Sequence, residues 1–342
     1  MQKNEFLSGL VRPFAAGLVV GVAVLLLPLL LIGEGQAESS NALLPAASAE
    51  PLPTTKPGKT VLWDEGMTVR VLTESGQVEE LTMKEYLWRV VAAEMPAKFE
   101  LEAMCAQAVC ARTYTLWKMG AGVHEGADLC DNSACCQAYM TPEEAAGRWG
   151  SLTETYTAHI AAAVANTDGQ ILTYDGKPIQ AVFFSASAPA TEDAAAVWGN
   201  SLPYLVSVSS PEGEEVPNYH SSVVLTAEQV KALVQGSGLG IKLSGDPSGW
   251  FRNVSYTASG RVAELELGGV TMSGSAVRSL FGLRSACFEV SEENGTFTFS
   301  VTGYGHGVGM SQYGANAMAE TGSTWQEIVT HYYTGVTIQN AE

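Results

Sequence analysis

Thr82–Trp117 reads TMKEYLWRVVAAEMPAKFELEAMCAQAVCARTYTLW, two helices and the break between them. Thr82 can cap the first helix while Glu85 reciprocates three positions later, and Leu81 can staple against Tyr86. Leu87, Val90 and Val91 supply an apolar face, and Pro96 ends the helix after KEYLWRVVAAE. The second pattern, LEAMCAQAVCARTYTLW, brings Leu101, Cys105, Ala108, Arg112 and Leu116 close to one face.

Outward from this pair the period keeps changing. TVLWD (60–64) reads as a strand and TVRVLTESGQVEEL (68–81) as two strands around ESGQ. Gly120 to Pro142 is irregular, and an Ala-rich helix is expected from Glu143 to Asn166. QILTYDGKPIQAVFFSA predicts two strands around an Asp175–Gly176 turn, with Pro178 near a strand start. Thr226 and Gln229 form a capping signal for a helix through Val234. VAELELGG and FTFSVTG read as strands with helical AVRSLFG between them, and Thr324/Glu327 start a final helix in TWQEIVTHYY. The class is α+β, with mixed helices and antiparallel strands and no solenoid repeat.

The whole chain sets the location. Its 342 residues suffice for one large domain or two smaller ones. A formal charge of -18 disfavours nucleic-acid binding. Phe14 to Gly33 is apolar and uncharged, long enough as a helix to span a bilayer. Lys3 and Arg12 precede it and Glu34 follows, which favours a cytoplasmic N-terminus. The alternative is a cleaved signal peptide, with Gly-Gln-Ala at 35–37 as a poor cleavage site. The organisation expected is a cytoplasmic N-terminus (1–13), a transmembrane helix (14–33), an extracytoplasmic Pro/Ala/Ser-rich linker (34–58) and a folded catalytic region (59–342).

Four groups of residues carry chemistry. Glu94 falls near the Leu87/Val90/Val91 face at the end of its helix, where apolar surroundings would hold its proton near the working pH. It could equally be solvated or paired with Arg112. Cys130, Cys135 and Cys136 in LCDNSACCQAY suit a disulfide, free buried thiols or zinc. Cys105 and Cys110 point in different directions and read as core packing. GYGHGVGMSQYG (303–314) can form a rigid loop, but it matches neither a phosphate-binding nor a dinucleotide fingerprint. Ser311 lacks a nucleophile elbow. His306, Gln312 and Tyr313 are plausible sugar contacts, with structural hydrogen bonding the alternative for His306. Gln107 and Arg112 are groove candidates, and Arg112 reads equally as a structural ion pair.

VVAAEMPAKFELEAMCAQAVCARTYTLW, with GYGHGVGMSQYGANAMAETG and IVTHYYTGV downstream in the same order, strongly resembles the SpoIID family of sporulation peptidoglycan lytic transglycosylases. The resemblance covers roughly Lys59 to Ile338. It implies that Glu94, the acid of Glu-Met-Pro, is the catalytic acid/base that cleaves the MurNAc–GlcNAc linkage to a 1,6-anhydro product. It implies a substrate groove including Ser185, Thr191, His306, Gln312 and Tyr313, and glycan strands lacking stem peptides as substrate. It further implies an amidase/endopeptidase and a multipass membrane scaffold as partners at the engulfing mother-cell membrane.

Members can carry a Cys-x4-His-Cys metal site, which implies Zn2+ here on Cys130, Cys135 and Cys136, with Cys135 standing where His is expected. A second departure lies in FFSASAPATEDAAAVWGNSLPYL, where Ala188 and Pro189 replace small Asn/Gly residues. The alternatives are a noncatalytic peptidoglycan-binding or assembly protein, and a water-dependent glycoside hydrolase using Glu192 as second acid.

Overall fold

A computed structural model describes residues 62–342. The membrane helix expected over 14–33, its N-terminal flank 1–13 and the linker 34–58 lie outside the described residues. Among the described residues no helix is long and apolar enough to cross a membrane.

The first element is a helical turn, α1 (Trp63–Gly66), where TVLWD suggests a strand. Asp168 accounts for the difference. Its carboxylate oxygens accept the Trp63 and Asp64 N–H groups at 3.0 and 2.9 Å, satisfying donors that a helix start leaves open. The expected hairpin follows as β1 (Thr68–Leu72) and β2 (Val78–Thr82), antiparallel, and β3 (Leu129–Cys130) joins β1 in parallel.

α2 (Met83–Glu94) begins at the Thr82/Glu85 capping box and stops two residues before Pro96. α3 (Leu101–Ala121) runs one turn past the expected end and closes on Gly122 in the left-handed conformation, φ 60°. It does not present one buried face: every residue from Ala103 to Thr115 is buried. Its small side chains let α2, β4 (Gln170–Tyr174) and three other helices pack around it. Those three are α5 (Thr153–Asn166), α9 (Gln312–Glu320) and α10 (Trp325–Tyr332).

The Ala-rich stretch is two helices, α4 (Pro142–Trp149) and α5 (Thr153–Asn166). Gly150 turns the chain between them at φ 53°, outside helical space. β4 meets β5 (Lys177–Pro178) through the expected turn, with Asp175 and Gly176 both at positive φ. That ladder is short, because the chain leaves it to form β6 (Phe183–Phe184). A short helix, α6 (Ala194–Trp198), follows.

Residues 220–301 then build a second core. Its elements are β7 (His220–Thr226), α7 (Ala227–Gly236), β8 (Phe251–Tyr256), β9 (Val262–Leu267), β10 (Val270–Ser273) and α8 (Gly274–Phe281). β11 (Phe288–Glu293) and β12 (Thr296–Thr302) complete two three-stranded antiparallel sheets, β10-β9-β8 and β11-β12-β7. Phe281 stacks on Phe299 at 5.0 Å in its centre.

The chain then returns to the first core. β13 (Met310–Ser311) pairs in parallel with β6, and α9 (Gln312–Glu320), α10 (Trp325–Tyr332) and β14 (Thr337–Asn340) follow. β14 closes the β14-β4-β5 sheet, and α10 starts at the Thr324/Glu327 capping box. Ile328, Val329, Tyr332 and Tyr333 are fully buried with Leu87, Val90 and Met104, joining the two ends of the described chain in one core. Each such aliphatic burial contributes about 1.5–3 kcal/mol. The architecture is α+β, with mostly antiparallel strands and two short parallel pairs.

Candidate active site

Glu94 is the last residue of α2 and is half-buried. Pro96 forbids another turn, so the carboxyl projects where the chain leaves the helix. Two donors hold it. The Ala138 N–H reaches Oε1 at 2.8 Å, and the Gln312 amide reaches Oε2 at 3.3 Å. Burial pushes the Glu94 carboxyl above the ordinary glutamate range, while these two hydrogen bonds pull the other way. The result is an acid able to carry a proton at a higher pH than a solvated glutamate and to release it without losing its partners.

Each donor has its own support. Ala138 follows Gln137, whose buried amide bonds the Tyr86 hydroxyl and the Thr115 hydroxyl at 3.2 Å each. On its other side the Tyr139 hydroxyl donates to Glu79 at 2.6 Å. Gln312 opens α9 directly after Ser311, whose hydroxyl caps the helix by accepting from the Gly314 N–H. Ser311 in turn donates to Glu212, a buried carboxylate that also accepts the Ser187 N–H at 2.6 Å and the Ser210 hydroxyl at 2.5 Å. Gly314 is required there, since a Cβ would lie 2.1 Å from the Tyr332 hydroxyl. Nothing in the primary pattern singles out Ala138 or Glu212: one acts through its backbone and the other lies in an irregular loop.

The remaining candidates divide. Ser185 and Tyr313 stand beside Gln312, with the Tyr313 N–H bonded to the Ser185 carbonyl at 3.0 Å. The Tyr313 ring meets Phe99 edge-on at 4.9 Å. Gln107 is fully buried on α3 with neither amide atom partnered. Arg112 belongs to the core: it is fully buried, forks onto Asp64 and donates to the Gln170 carbonyl at 3.1 Å. Its carboxylate partner is therefore Asp64 and not Glu94. Thr191 is also fully buried, and its hydroxyl accepts the Val208 N–H at 2.9 Å. Glu192 accepts from Thr257 and Ser259 at 2.5 Å each and from the Asp193 N–H at 3.0 Å. A carboxylate so enclosed cannot also activate a water. Pro189 is exposed, so its missing donor costs little, and Ala188 is buried.

His306 spends both ring nitrogens on backbone. Nδ1 accepts the Val308 N–H at 3.1 Å and Nε2 donates to the Phe183 carbonyl at 3.0 Å. This fixes a neutral ring between Trp198 and Phe184 and leaves no nitrogen for a sugar. The alternating glycines serve the same packing: a Cβ on Gly309 would lie 2.1 Å from the Val182 carbonyl oxygen. Burial, then the Arg278 charge, lowers the His306 pKa to about 4. With an ordinary value near 6.5, folding is favoured fully above pH 6.5 and loses this contribution as the pH falls toward 4. Urea midpoints taken from pH 7 to pH 4.5 should fall more steeply for the wild type than for His306→Gln, by the uptake of one proton; equal slopes would contradict the assignment.

The cysteine loop gains a fourth member. His124, Cys130, Cys135 and Cys136 bring one ligand atom each within 4.8 Å of one another. The Cys130–Cys136 and Cys135–Cys136 sulfur separations are 3.5 and 3.9 Å, and His124 Nε2 lies 3.3 and 3.7 Å from Cys136 and Cys135. Disulfide sulfurs would be about 2.05 Å apart. A tetrahedral site with Zn–S bonds of about 2.3 Å has edges of about 3.8 Å, so these donors fit a closed metal site. The three-cysteine set expected from the loop is thus extended by His124, six residues before Cys130. The cluster could hold a metal ion. Its location carries consequences, because Cys136 lies two residues before the Ala138 donor to Glu94. Cys105 and Cys110 remain in the core, where burial raises both thiols to about 12.

A 270 Å³ cavity lined by Lys231, Val234, Ile241 and Leu243 belongs to the second core, and neither Glu94, its partners nor the cysteine cluster lines it. The site is therefore the α2 terminus, the 124–139 loop and the α9 terminus.

Residues 72–174, which contain α2, α3 and the cysteine loop, match the family model described as SpoIID, Stage II sporulation protein. The chain is 38% identical to Stage II sporulation protein D of Bacillus amyloliquefaciens over 329 residues, 94% of each chain. It is also 38% identical to the Bacillus subtilis protein of that name over 339 residues, 97% of each. An amidase enhancer of Bacillus subtilis is 27% identical over 307 residues, covering 73% of this chain and 39% of that protein. With relatives this similar along almost its entire length, the chain belongs to the SpoIID family of stage II sporulation proteins.

Proposed function

We propose that this sporulation protein is a peptidoglycan lytic transglycosylase with Glu94 as its single acid/base. The observation that carries the reading is a half-buried carboxyl whose proton affinity is raised, held between a backbone N–H and an amide. Protonated Glu94 gives its proton to the oxygen between C1 of N-acetylmuramic acid and C4 of N-acetylglucosamine as the C1–O bond breaks. The carboxylate then takes the proton of the muramic 6-hydroxyl as O6 bonds to C1. The products are a 1,6-anhydro end and a free 4-hydroxyl, and no water is consumed. Ordinary glycoside hydrolysis commonly uses two carboxyl groups, and the enclosed state of Glu192 favours the one-carboxylate scheme.

Zinc suits the His124/Cys130/Cys135/Cys136 donors, and four protein ligands leave no open position, so the ion would brace the loop rather than generate a nucleophile. Removing it should loosen the segment that presents Ala138. Cys136→Ser is expected to retain less than about one tenth of the wild-type zinc and to melt several degrees lower. Equal melting curves with and without a strong chelator would remove the metal from the reading.

The protein is anchored through residues 14–33, with its catalytic region outside the cytoplasm at the mother-cell engulfing membrane. Its substrate is glycan strands without stem peptides, supplied by an amidase/endopeptidase, and a multipass scaffold holds the enzymes together. The amidase enhancer among its relatives supports this cell-wall setting. Mass spectrometry of digested strands tests the chemistry: anhydro ends are expected, and reducing ends or intact strands would overturn it.

A further inference from the structure

Arg284 stands apart from the other arginines of this wall. Arg112, Arg89 and Arg70 are paired with Asp64, Glu79 and Asp128, while Arg261 and Arg278 spend N–H groups on backbone carbonyls. Arg284 has no ion pair among the described residues, and its Nε–H, like that of Arg261, is buried without an acceptor. Its orientation comes from Tyr304, whose ring centre lies 4.0 Å from the guanidinium carbon. Stacking fixes the plane of the group and leaves its two terminal nitrogens for a ligand.

Backbone contacts tie the Arg284–Tyr304 pair to the partners of Glu94. Tyr304 exchanges backbone hydrogen bonds with Ala186 at 2.8 and 2.9 Å, next to Ser185. Ser185 accepts from Tyr313, which follows the Glu94 partner Gln312. The Arg284 charge also opposes the upward shift that burial imposes on the Tyr313 phenol, as a close neighbour would. On a chain of formal charge -18, Arg284 and Arg278 bring positive charge to the 303–309 loop, while Arg261 is faced by Glu192 and Glu212.

We propose that Arg284 binds a carboxylate of the glycan: the lactyl carboxylate that muramic acid exposes once its stem peptide is gone. This rests on the glycan reading above. With the peptide attached the lactyl group is a neutral amide, which offers one carbonyl and turns an N–H toward other donors. Without it, two oxygens can accept from the two terminal nitrogens together, as charge-assisted bonds. Arg284 is thus a specificity-determining residue that reads whether the strand has been stripped.

The test compares the full chain and Arg284→Gln on three strand preparations: stripped, stripped with the lactyl carboxylates converted to methylamides, and peptide-bearing. Wild type is expected to show a KM about tenfold or more lower for the free-acid strands, a ratio that shrinks as salt rises. Arg284→Gln should erase the ratio by raising the KM for free-acid strands to that for methylamide strands, and Arg284→Lys should keep part of it. If Arg284→Gln keeps the wild-type ratio, or wild type does not distinguish acid from amide, the proposal is overturned. A preference for peptide-bearing over stripped strands would assign the acceptor to stem-peptide carboxylates and overturn it too. Binding of the same strands to Glu94→Gln separates the two readings. Selective binding lost on adding Arg284→Gln, with no anhydro ends from wild type, sinks the transglycosylase and keeps the subsite; anhydro ends without selectivity do the reverse.

Discussion

Glu94→Gln should lower glycan turnover by about 10³- to 10⁴-fold while the protein stays folded. The substitution keeps the shape of the side chain and removes its exchangeable proton. The Ala138 N–H can still donate to the amide oxygen, and a flip of the Gln312 amide restores an acceptor for the new NH₂. Stability should not suffer. A carboxyl whose folded pKa is raised above its unfolded value is most favourable to folding below that unfolded value, and the contribution is lost as pH rises through the folded pKa. At neutral pH the glutamine variant is spared that loss, so its melting temperature should equal or exceed the wild-type value. Release of anhydro ends and a thermal melt on the same preparation check both halves. Normal turnover in the variant would remove Glu94 from the mechanism, whatever the products are.

The largest loss of stability is expected from Asp64→Ala, about 3–5 kcal/mol. Asp64 is 2% exposed and Arg112 fully buried, and the Nε–Oδ1 bond is 2.7 Å. Truncating the carboxylate strands the guanidinium in the core with the Gln170 carbonyl as its remaining acceptor. Against a total folding stability of about 5–15 kcal/mol, that is a large fraction. The double variant Asp64→Leu/Arg112→Met should recover much of the loss, since two apolar groups of similar size need no partners. Urea unfolding measures both. A single variant as stable as wild type would mean that the pair contributes nothing, and a double variant as poor as the single would place the cost in packing.

Arg112 shows where the one-dimensional pattern runs out. Its position on the helix is legible, and so is the choice between groove contact and ion pair. The partner is not, because Asp64 lies 48 residues away on a turn that TVLWD disguises as a strand. Thr191 and His306 failed as substrate contacts for a related reason. Their side chains look free until the tertiary fold brings backbone donors and carbonyls to them. The long Ala-rich helix misled differently, since glycine is tolerated within a helix and only the backbone at Gly150 reveals a break. His124 carries a weak signal, one histidine in an irregular loop before the cysteines, and it joins their cluster when β3 pairs with β1 and folds the loop back.

By itself the amino-acid order determined what depends on neighbours a few residues apart: the capping boxes at Thr82, Thr226 and Thr324, the end of α2 at Pro96, the Asp175–Gly176 turn, and the acid on an apolar helix end. These follow from backbone geometry and local hydrogen bonding, which short segments largely specify. The tertiary structure alone decided which groups surround that acid. Gln312 reaches Glu94 from 218 residues away, and Ala138 does so through a backbone N–H that no side chain advertises. Burial of Glu94 and of the Asp64–Arg112 pair depends on helices from both ends of the described chain closing one core, and only that closure removes the water that would otherwise level their energies.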